Sequence, residues 1–373
     1  MDPLQQGRAR DLGILIGTGE AGPLGAITDV PGVRVGHRTL IRGADGAPDA
    51  VRTGVTAIFP HEGEPWQEWV YAGTHILNGY GELIGINQVT EWGALMSPIV
   101  LTSSLQIGKA YDATVRWIAG RDRTGAGEVM PVVSECDDSW LSDVLSFPLS
   151  DDDVAAALSD AASGPVVEGC VGAGTGMACF DFKGGIGTAS RRLPAEAGGF
   201  TVGVLVLTNY GDREFLQIDG VHVGEAITDL MPTHHQDGSC VVVLATDAPL
   251  LPHQLRRLAQ RGGMGLAATG SYASNGSGEQ MIAFSTANRL SYGGAVTDVR
   301  AVADGPGEEP WLLSRVFEAA VEATQEAVVN ALLAAETTTG KDGWTLYAMP
   351  VDRTLELMAA AAVCIPEFPR DRG

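Results

Sequence analysis

Positive charge is scarce in this 373-residue sequence. Only 24 Lys and Arg stand against 46 Asp and Glu, a formal net charge of −22. A nucleic-acid interface needs clustered Lys and Arg to displace counterions, so the balance argues against that class. It suits a chain kept dispersed in water by self-repulsion, or one that takes cationic or amine-bearing ligands. Cysteines are few: Cys136, Cys170, Cys179, Cys240 and Cys364, an odd number with no C-x-x-C spacing. Reduced, mostly buried thiols are expected rather than a disulfide framework. The seven histidines are scattered and form no H-E-x-x-H pair, and the adjacent His234 and His235 would point in different directions on any regular element. No metal and no cofactor are therefore expected. No apolar run approaches the length of a membrane span, and "MDPLQQGRARDLG" lacks the basic-then-apolar order of a signal peptide. Together these absences predict a cytoplasmic protein with no membrane or nucleic-acid partner.

What is present is an ordinary globular composition, 45% hydrophobic and 19% charged, in a chain long enough for a large layered core. Short β-type runs cover 55–60, 97–104 and 127–136. A helix is predicted over 150–162, with Ser150 or an early Asp capping it and an acidic first turn suited to the helix dipole. Strand character returns over 166–191 and 200–211, and 231–238 reads as an exposed polar loop. A strand follows from Ser239, then a helix over 250–262 with Pro252 in its first turn and glycine at its end. Residues 280–288 read as a strand. The strongest helix spans 310–336, where Leu313, Val316, Phe317, Ala320, Val321, Val328 and Leu332 recur at helical spacing and Thr324 is the polar member of the stripe. Strands and helices mix without a regular β-α-β rhythm, which predicts a sheet-rich α/β protein with helices on the outer faces.

Several stretches bear on chemistry. Gly17, Gly19 and Gly22 form a G-x-G-x-x-G after an apolar run, but Pro23, Gly25 and "TDVPGV" follow. A dinucleotide site needs a helix to begin there, so a nucleotide site is not expected. "VGAGTGM" and "KGGIGT" have no Lys after their glycines and read as tight connections. Ser277 and Glu279 sit two residues apart before a strand, a spacing that puts both side chains on one side. By spacing alone a Gly-rich hairpin turn is the preferred reading. Asn209 ends an apolar strand, where an amide can donate to a developing oxyanion or simply cap a turn. "DGSCVVVLA" places Ser239 and Cys240 side by side at the mouth of a strand, either as a plain turn into a buried strand or as a cleavage site that creates a new N-terminus. The two point to opposite faces, and spacing alone does not say which is the nucleophile.

Taken together, these stretches resemble the self-processing aminopeptidases typified by DmpA and BapA, which release N-terminal L-amino acids, D-amino-acid amides or β-amino acids. The likeness runs through "RARDLGI", "AITDVPGVRVGHRTL", "GTHILNGYGELIG", "EGCVGAGTGM", "FKGGIGT", "VGVLVLTNYG", "ATDAPLLPHQLRRLA" and "NGSGEQMIAFSTAN", in the family's order and over most of the chain. The resemblance implies a four-layer αββα sandwich of the N-terminal-nucleophile type. It implies one catalytic domain over 1–373, cut between Gly238 and Ser239 into fragments 1–238 and 239–373, and a homo-oligomer, a tetramer of cleaved protomers. By residue match, Ser239 is the nucleophile and Cys240 is on the other face. Ser277 relays or polarises at Ser239, Glu279 orients the freed α-amine, and Asn209 supplies the oxyanion amide. Glu135 receives the substrate's amino group. The substrate implied is a short peptide or aminoacyl amide, with L, D or β stereochemistry open. Where members read like "ETYDGYLND", this chain reads "ECDDSWLSD". Asp137 thus stands at an aromatic position that forms part of the active-site wall. Two other functions fit the same residues: an acyl transferase using the same nucleophile, and a binding protein that keeps the fold without turnover.

Overall fold

The computed structural model describes residues 7–233, 238–291, 297–304 and 312–362. Of the stretches discussed above, residues 1–6, residues 234–237 of the polar loop (His234 and His235 among them), the start of the last long helix at 310–311 and Cys364 lie outside them.

Among the described residues, eleven strands make the two large sheets. In chain order they are β1 (Arg34–Arg42), β2 (Val51–Phe59), β3 (Glu68–Gly79), β4 (Leu83–Ile84), β5 (Ala94–Leu95), β6 (Ile99–Ser103), β7 (Val132–Cys136), β8 (Ile186–Arg192), β9 (Thr201–Asn209), β10 (Ser239–Thr246) and β11 (Gly278–Ser291). The five-stranded sheet has the order β1-β2-β6-β7-β4 and the six-stranded sheet β8-β9-β10-β11-β3-β5. Most neighbours are antiparallel, while β6–β7 and β10–β11 are parallel.

Three apolar layers hold the sheets and helices together. Ile58, Leu101, Val132, Leu207, Val241, Val243, Ile282 and Phe284 fill the space between the two sheets. Helices α1 (Ile107–Ala119) and α2 (Asp151–Ser159) cover the outer face of the five-stranded sheet through Ala110, Ala113, Val154 and Leu158. Helices α3 (Pro252–Ala268) and α4 (Leu312–Ala334) cover the outer face of the six-stranded sheet through Leu255, Leu258, Val316, Ala320 and Val328. The result is the αββα sandwich expected from the sequence. Among the described residues no helix is long and apolar enough to cross a membrane.

Local signals account for most element ends. Ser150 and Asp153 form a reciprocal capping box at the start of α2. Glycine at 262 does not end α3 as expected; the helix runs on through Gly263 and Gly265 to Ala268. Each glycine costs a helix about 1 kcal/mol relative to Ala. Close packing offsets that cost, since a Cβ on Gly265 would lie 2.5 Å from Cβ of Thr324 on α4.

The G-x-G-x-x-G loop does bind an anion, but it is the protein's own. The N–H groups of Thr18 and Gly19 donate to the two carboxylate oxygens of Glu322 on α4, at 2.8 and 2.9 Å. Arg191 from β8 donates to the same carboxylate at 2.9 Å and to Glu326 at 2.8 Å. The phosphate position of a nucleotide loop is thus already occupied, and the loop ties the N-terminal segment to α4. Gly17 has φ +69°, and a Cβ there would lie 2.1 Å from Cδ of Glu322. Gly17→Ala is therefore expected to lower folding stability by about 1–3 kcal/mol, read as a lower denaturation midpoint, with no effect on residues of β10 and β11.

Candidate active site

Strand alternation sorts the neighbours of the Gly238–Ser239 bond. On β10, Val241, Val243 and Ala245 belong to the core between the sheets, while Cys240, Val242 and Leu244 belong to the core under α3 and α4. Ser239 therefore faces the inter-sheet side and Cys240 the helix side. The same parity puts Asn209, at the end of β9 and directly opposite Ser239, on the inter-sheet face.

Asn209 is held in one orientation. Its Oδ1 accepts from the N–H of Ala178 at 2.9 Å, and its Nδ2 donates to the carbonyl of Asp137 at 3.0 Å. The remaining Nδ2 proton is aimed at Oγ of Ser239, 3.4 Å away, a long contact for a hydrogen bond. Cys136, at the end of β7, lies against the Ser239 hydroxyl from the facing sheet. Burial pushes its thiol well above the ordinary value, and the Ser239 hydroxyl pulls it back in part.

The strand pairing of Ser239 with Gly278 brings in the second half of the site. The carbonyl of Gly238 accepts from the N–H of Gly278 at 3.2 Å. Gly278 stands between Ser277 and Glu279, whose side chains are joined by a short hydrogen bond from the Ser277 hydroxyl to Oε1 of Glu279. Oε2 of Glu279 is buried and makes no hydrogen bond of ordinary geometry. Burial raises the Glu279 carboxyl, and Ser277 is the chief opposing influence. Glu279 pairs across the strands with Cys240, so the carboxylate lies on the helix face. The Ser239 hydroxyl is on the other face, and the Gly238–Ser239 peptide runs between them. Gly238, Ser277 and Glu279 open onto a small surface cleft with Tyr210, Tyr272 and Ser274. Gly238 is confined, because a Cβ there would lie 2.7 Å from Cα of Tyr210 and 2.9 Å from the carbonyl oxygen of Asn209.

Glu135 belongs to the facing sheet, on β7. It is 5% exposed, and its hydrogen bonds come from the N–H of Glu82 at 2.9 Å and, at very short range, from the hydroxyl of Ser104. Burial pushes its carboxyl up, with Ser104 and Glu82 pulling the other way. The side chain of Asp137 turns back onto Ser139, accepting from its N–H at 2.8 Å and its hydroxyl at 2.9 Å. The carbonyl of Asp137 orients Asn209.

Four participants were not singled out from the sequence. Cys136, Gly278 and Asn78 lay inside recognised blocks, but nothing in their spacing marked them. Asn78 pairs with Glu279 across β3 and β11 and donates to the carbonyls of Ala273 and Ser274, at 3.4 and 2.5 Å, fixing the turn before Ser277. The fourth, Asp138, is fully buried and accepts from Ser103 at 2.6 Å, and burial pushes its carboxyl up to about 7. Among the described residues no three His, Cys, Asp or Glu side chains gather in a metal-binding arrangement.

The model of peptidase family S58 matches residues 25–346. The chain belongs to peptidase family S58. The S58 chain is 43% identical over 363 residues to the β-peptidyl aminopeptidase BapA of Sphingosinicella microcystinivorans, covering 92% of this chain and 89% of that protein. Among solved structures it is similar to the L-aminopeptidase D-Ala-esterase/amidase of Ochrobactrum anthropi, described as a variant of the Ntn hydrolase fold. That match has a TM-score of 0.88 at 43% identity and covers 95% of this chain and 99% of the other. A Burkholderia sp. β-aminopeptidase matches with a TM-score of 0.87 at 44% identity over the same shares. The family resemblance and the αββα fold it implied are both borne out, and this S58 protein is a peptidase.

Of the four described cysteines of this peptidase, Cys136, Cys179 and Cys240 are buried and Cys170 is partly exposed. A thiol-alkylating reagent applied to the native protein should therefore label Cys170 and leave the other three unmodified, as read by peptide mass mapping.

Proposed function

We propose that the chain is a self-processing serine aminopeptidase that hydrolyses the N-terminal amide or ester bond of short peptides and aminoacyl amides, with β- and D-amino acid substrates in its range. The observation that carries this reading is the Gly238–Ser239 peptide itself. Its carbonyl rests on the N–H of Gly278, its serine hydroxyl is met by the Asn209 amide, and the Ser277–Glu279 pair stands beside it. The stereochemical range is suggested by the similar proteins, which are named for β-peptidyl and D-Ala substrates.

In the precursor, Oγ of Ser239 attacks the carbonyl carbon of Gly238. The C–O bond forms as the C–N bond breaks, and the nitrogen takes the proton to become the α-amine of Ser239. Water then hydrolyses the ester and frees the carboxylate of Gly238. Such an α-amine has a pKa of about 7.7–8.0, close to neutral, so it serves as general base for its own hydroxyl in turnover. Glu279, adjacent to Gly278 whose N–H meets the Gly238 carbonyl, is the proposed group that orients it. Asn209 and the N–H of Gly278 are positioned to stabilise the oxyanion. On a denaturing gel the active protein should run as fragments 1–238 and 239–373, the smaller beginning Ser-Cys-Val. Ser239→Ala should stay uncut and inactive, while Cys240→Ala should be cut and turn over. An active enzyme that remains one intact chain would falsify the mechanism.

Glu135 is the proposed seat for the substrate's ammonium. It is a buried carboxylate whose hydrogen-bond donors are a hydroxyl and an N–H, with no cation among them. The seat works only when ionised, and burial raises its pKa. KM should therefore climb as pH falls, beginning at a higher pH than an ordinary Glu near about 4.3 would give. Glu135→Gln should raise KM at neutral pH about ten- to hundredfold and abolish that acid limb. Initial-rate measurements on an aminoacyl p-nitroanilide across pH test both outcomes; a Glu135→Gln enzyme with unchanged KM would remove Glu135 from this role.

A further inference from the structure

Gln280 is on the strand that carries Ser277 and Glu279, and it points to the opposite side from Glu279, into the space between the sheets. It is 1% exposed. Its Nε2 donates to the carbonyl of Gly81 at 3.2 Å. The next atom along that peptide group is the nitrogen of Glu82, whose N–H donates to Oε1 of Glu135 at 2.9 Å. The C=O and N–H of a trans peptide point in opposite directions. One peptide group is thus held between Gln280 of the six-stranded sheet and Glu135 of the five-stranded sheet.

The other end of the Gln280 side chain argues against a packing role. Its Oε1 is buried and has no hydrogen-bond partner. A buried amide with half its bonding unmet stabilises a fold poorly, and an apolar side chain of the same length would serve better. The bond the amide does make is aimed at the peptide that feeds Glu135. Donation to the Gly81 carbonyl also polarises that peptide and strengthens the Glu82 N–H as a donor.

We infer that Gln280 is a positioning residue for amine recognition: through the Gly81–Glu82 peptide it fixes the Glu135 carboxylate where the substrate's ammonium docks. This rests on the reading of Glu135 as the ammonium seat, and on its own it concerns neither the nucleophile nor self-cleavage. The acyl side of the Gly238–Ser239 bond is continuous chain with no ammonium, so processing makes no use of the seat.

The test uses the full-length, self-processed enzyme carrying Gln280→Met, which keeps the length of the side chain and removes both polar atoms. KM for an aminoacyl p-nitroanilide should rise about five- to tenfold, with kcat changed less than about twofold, the cut at Gly238–Ser239 complete and the melting temperature unchanged or higher. The double variant Gln280→Met/Glu135→Gln should have the KM of Glu135→Gln alone, because a residue that acts through Glu135 has nothing to act on once its charge is gone. A lower melting temperature, lost processing, or a fall in kcat at constant KM would make Gln280 a support of the strand and overturn the inference. Independent, multiplying effects in the double variant would do the same. If Glu135→Gln raises KM and Gln280→Met does not, the inference fails while the Glu135 reading stands. If neither moves KM, the reading of the seat fails and takes the inference with it. Should Gln280→Met not fold, Gln280→Leu carries the same expectations.

Discussion

Everything chemical in this molecule depends on one pairing, that of β10 with β11, parallel and in register from Ser239 opposite Gly278. Most of the six-stranded sheet is antiparallel, and parallel neighbours need a long crossover. Here the crossover carries α3, which packs back over the sheet it has just left. The pairing sets the first residues of two central strands side by side, so a serine that follows Gly238 meets a turn that delivers Ser277 and Glu279. A slip of one residue would turn every side chain of β10 to the other face. Cys240 would then stand where Ser239 does, and Val241 would enter the helix-side core. Burial on both faces of the sheet makes such a slip costly, so the hydrophobic packing of Val241 to Ala245 also enforces the register of Ser239, the proposed nucleophile.

Confinement completes what register begins. A Cβ on Gly238 would collide with Tyr210 and Asn209, and one on Gly278 would lie 2.3 Å from the carbonyl oxygen of Tyr80. The two glycines let three strand ends converge until one carbonyl reaches one N–H. Asn209 is locked by Ala178 and Asp137 before it reaches Ser239, so in its proposed oxyanion role little side-chain entropy would remain to be lost.

Much of this could be read from the sequence, and the failures have physical causes. Runs of alternating or continuous apolar residues marked β2, β6, β7, β9, β10 and β11, though β1 and β3 went unread, and the 3.6-residue stripe marked α4, where Val316, Ala320, Thr324 and Val328 are all buried. Period two put Ser239 and Cys240 on opposite faces, and the family resemblance chose between them. Contacts between distant segments left no local trace. Nothing near Gly17 announces that Glu322, some three hundred residues on, will fill its loop. Gly262 read as a helix end because propensity is local, whereas the close approach of α4 that makes glycine favourable at Gly265 is tertiary. Asp137 stands where the resemblance implies a wall position, and in the structure its carbonyl also orients Asn209 while its carboxylate accepts from Ser139. A backbone contribution is invisible in residue identity.

The scarcity of positive charge takes on meaning once the buried carboxylates are sorted by partner. Glu168 is met by Arg8, Glu326 by Arg10 and Arg191, Glu322 by Arg191 and Asp153 by Arg38. These are structural pairs, each guanidinium offsetting a charge that would otherwise be costly to bury. Glu135, Glu279 and Asp138 are met instead by the hydroxyls of Ser104, Ser277 and Ser103. A hydroxyl satisfies a lone pair but brings no compensating charge, so all three carboxyls are pushed up by burial. An arriving ammonium would be doubly favoured there: it neutralises the carboxylate and removes the cost of keeping it ionised. The proposed chemistry supplies two ammonium-capable groups, the substrate's terminal amine for Glu135 and the α-amine released at Ser239 for Glu279. Among the described residues, Glu135 and Glu279 are thus buried carboxylates with no cation beside them, and each is one that the proposed reaction would complete.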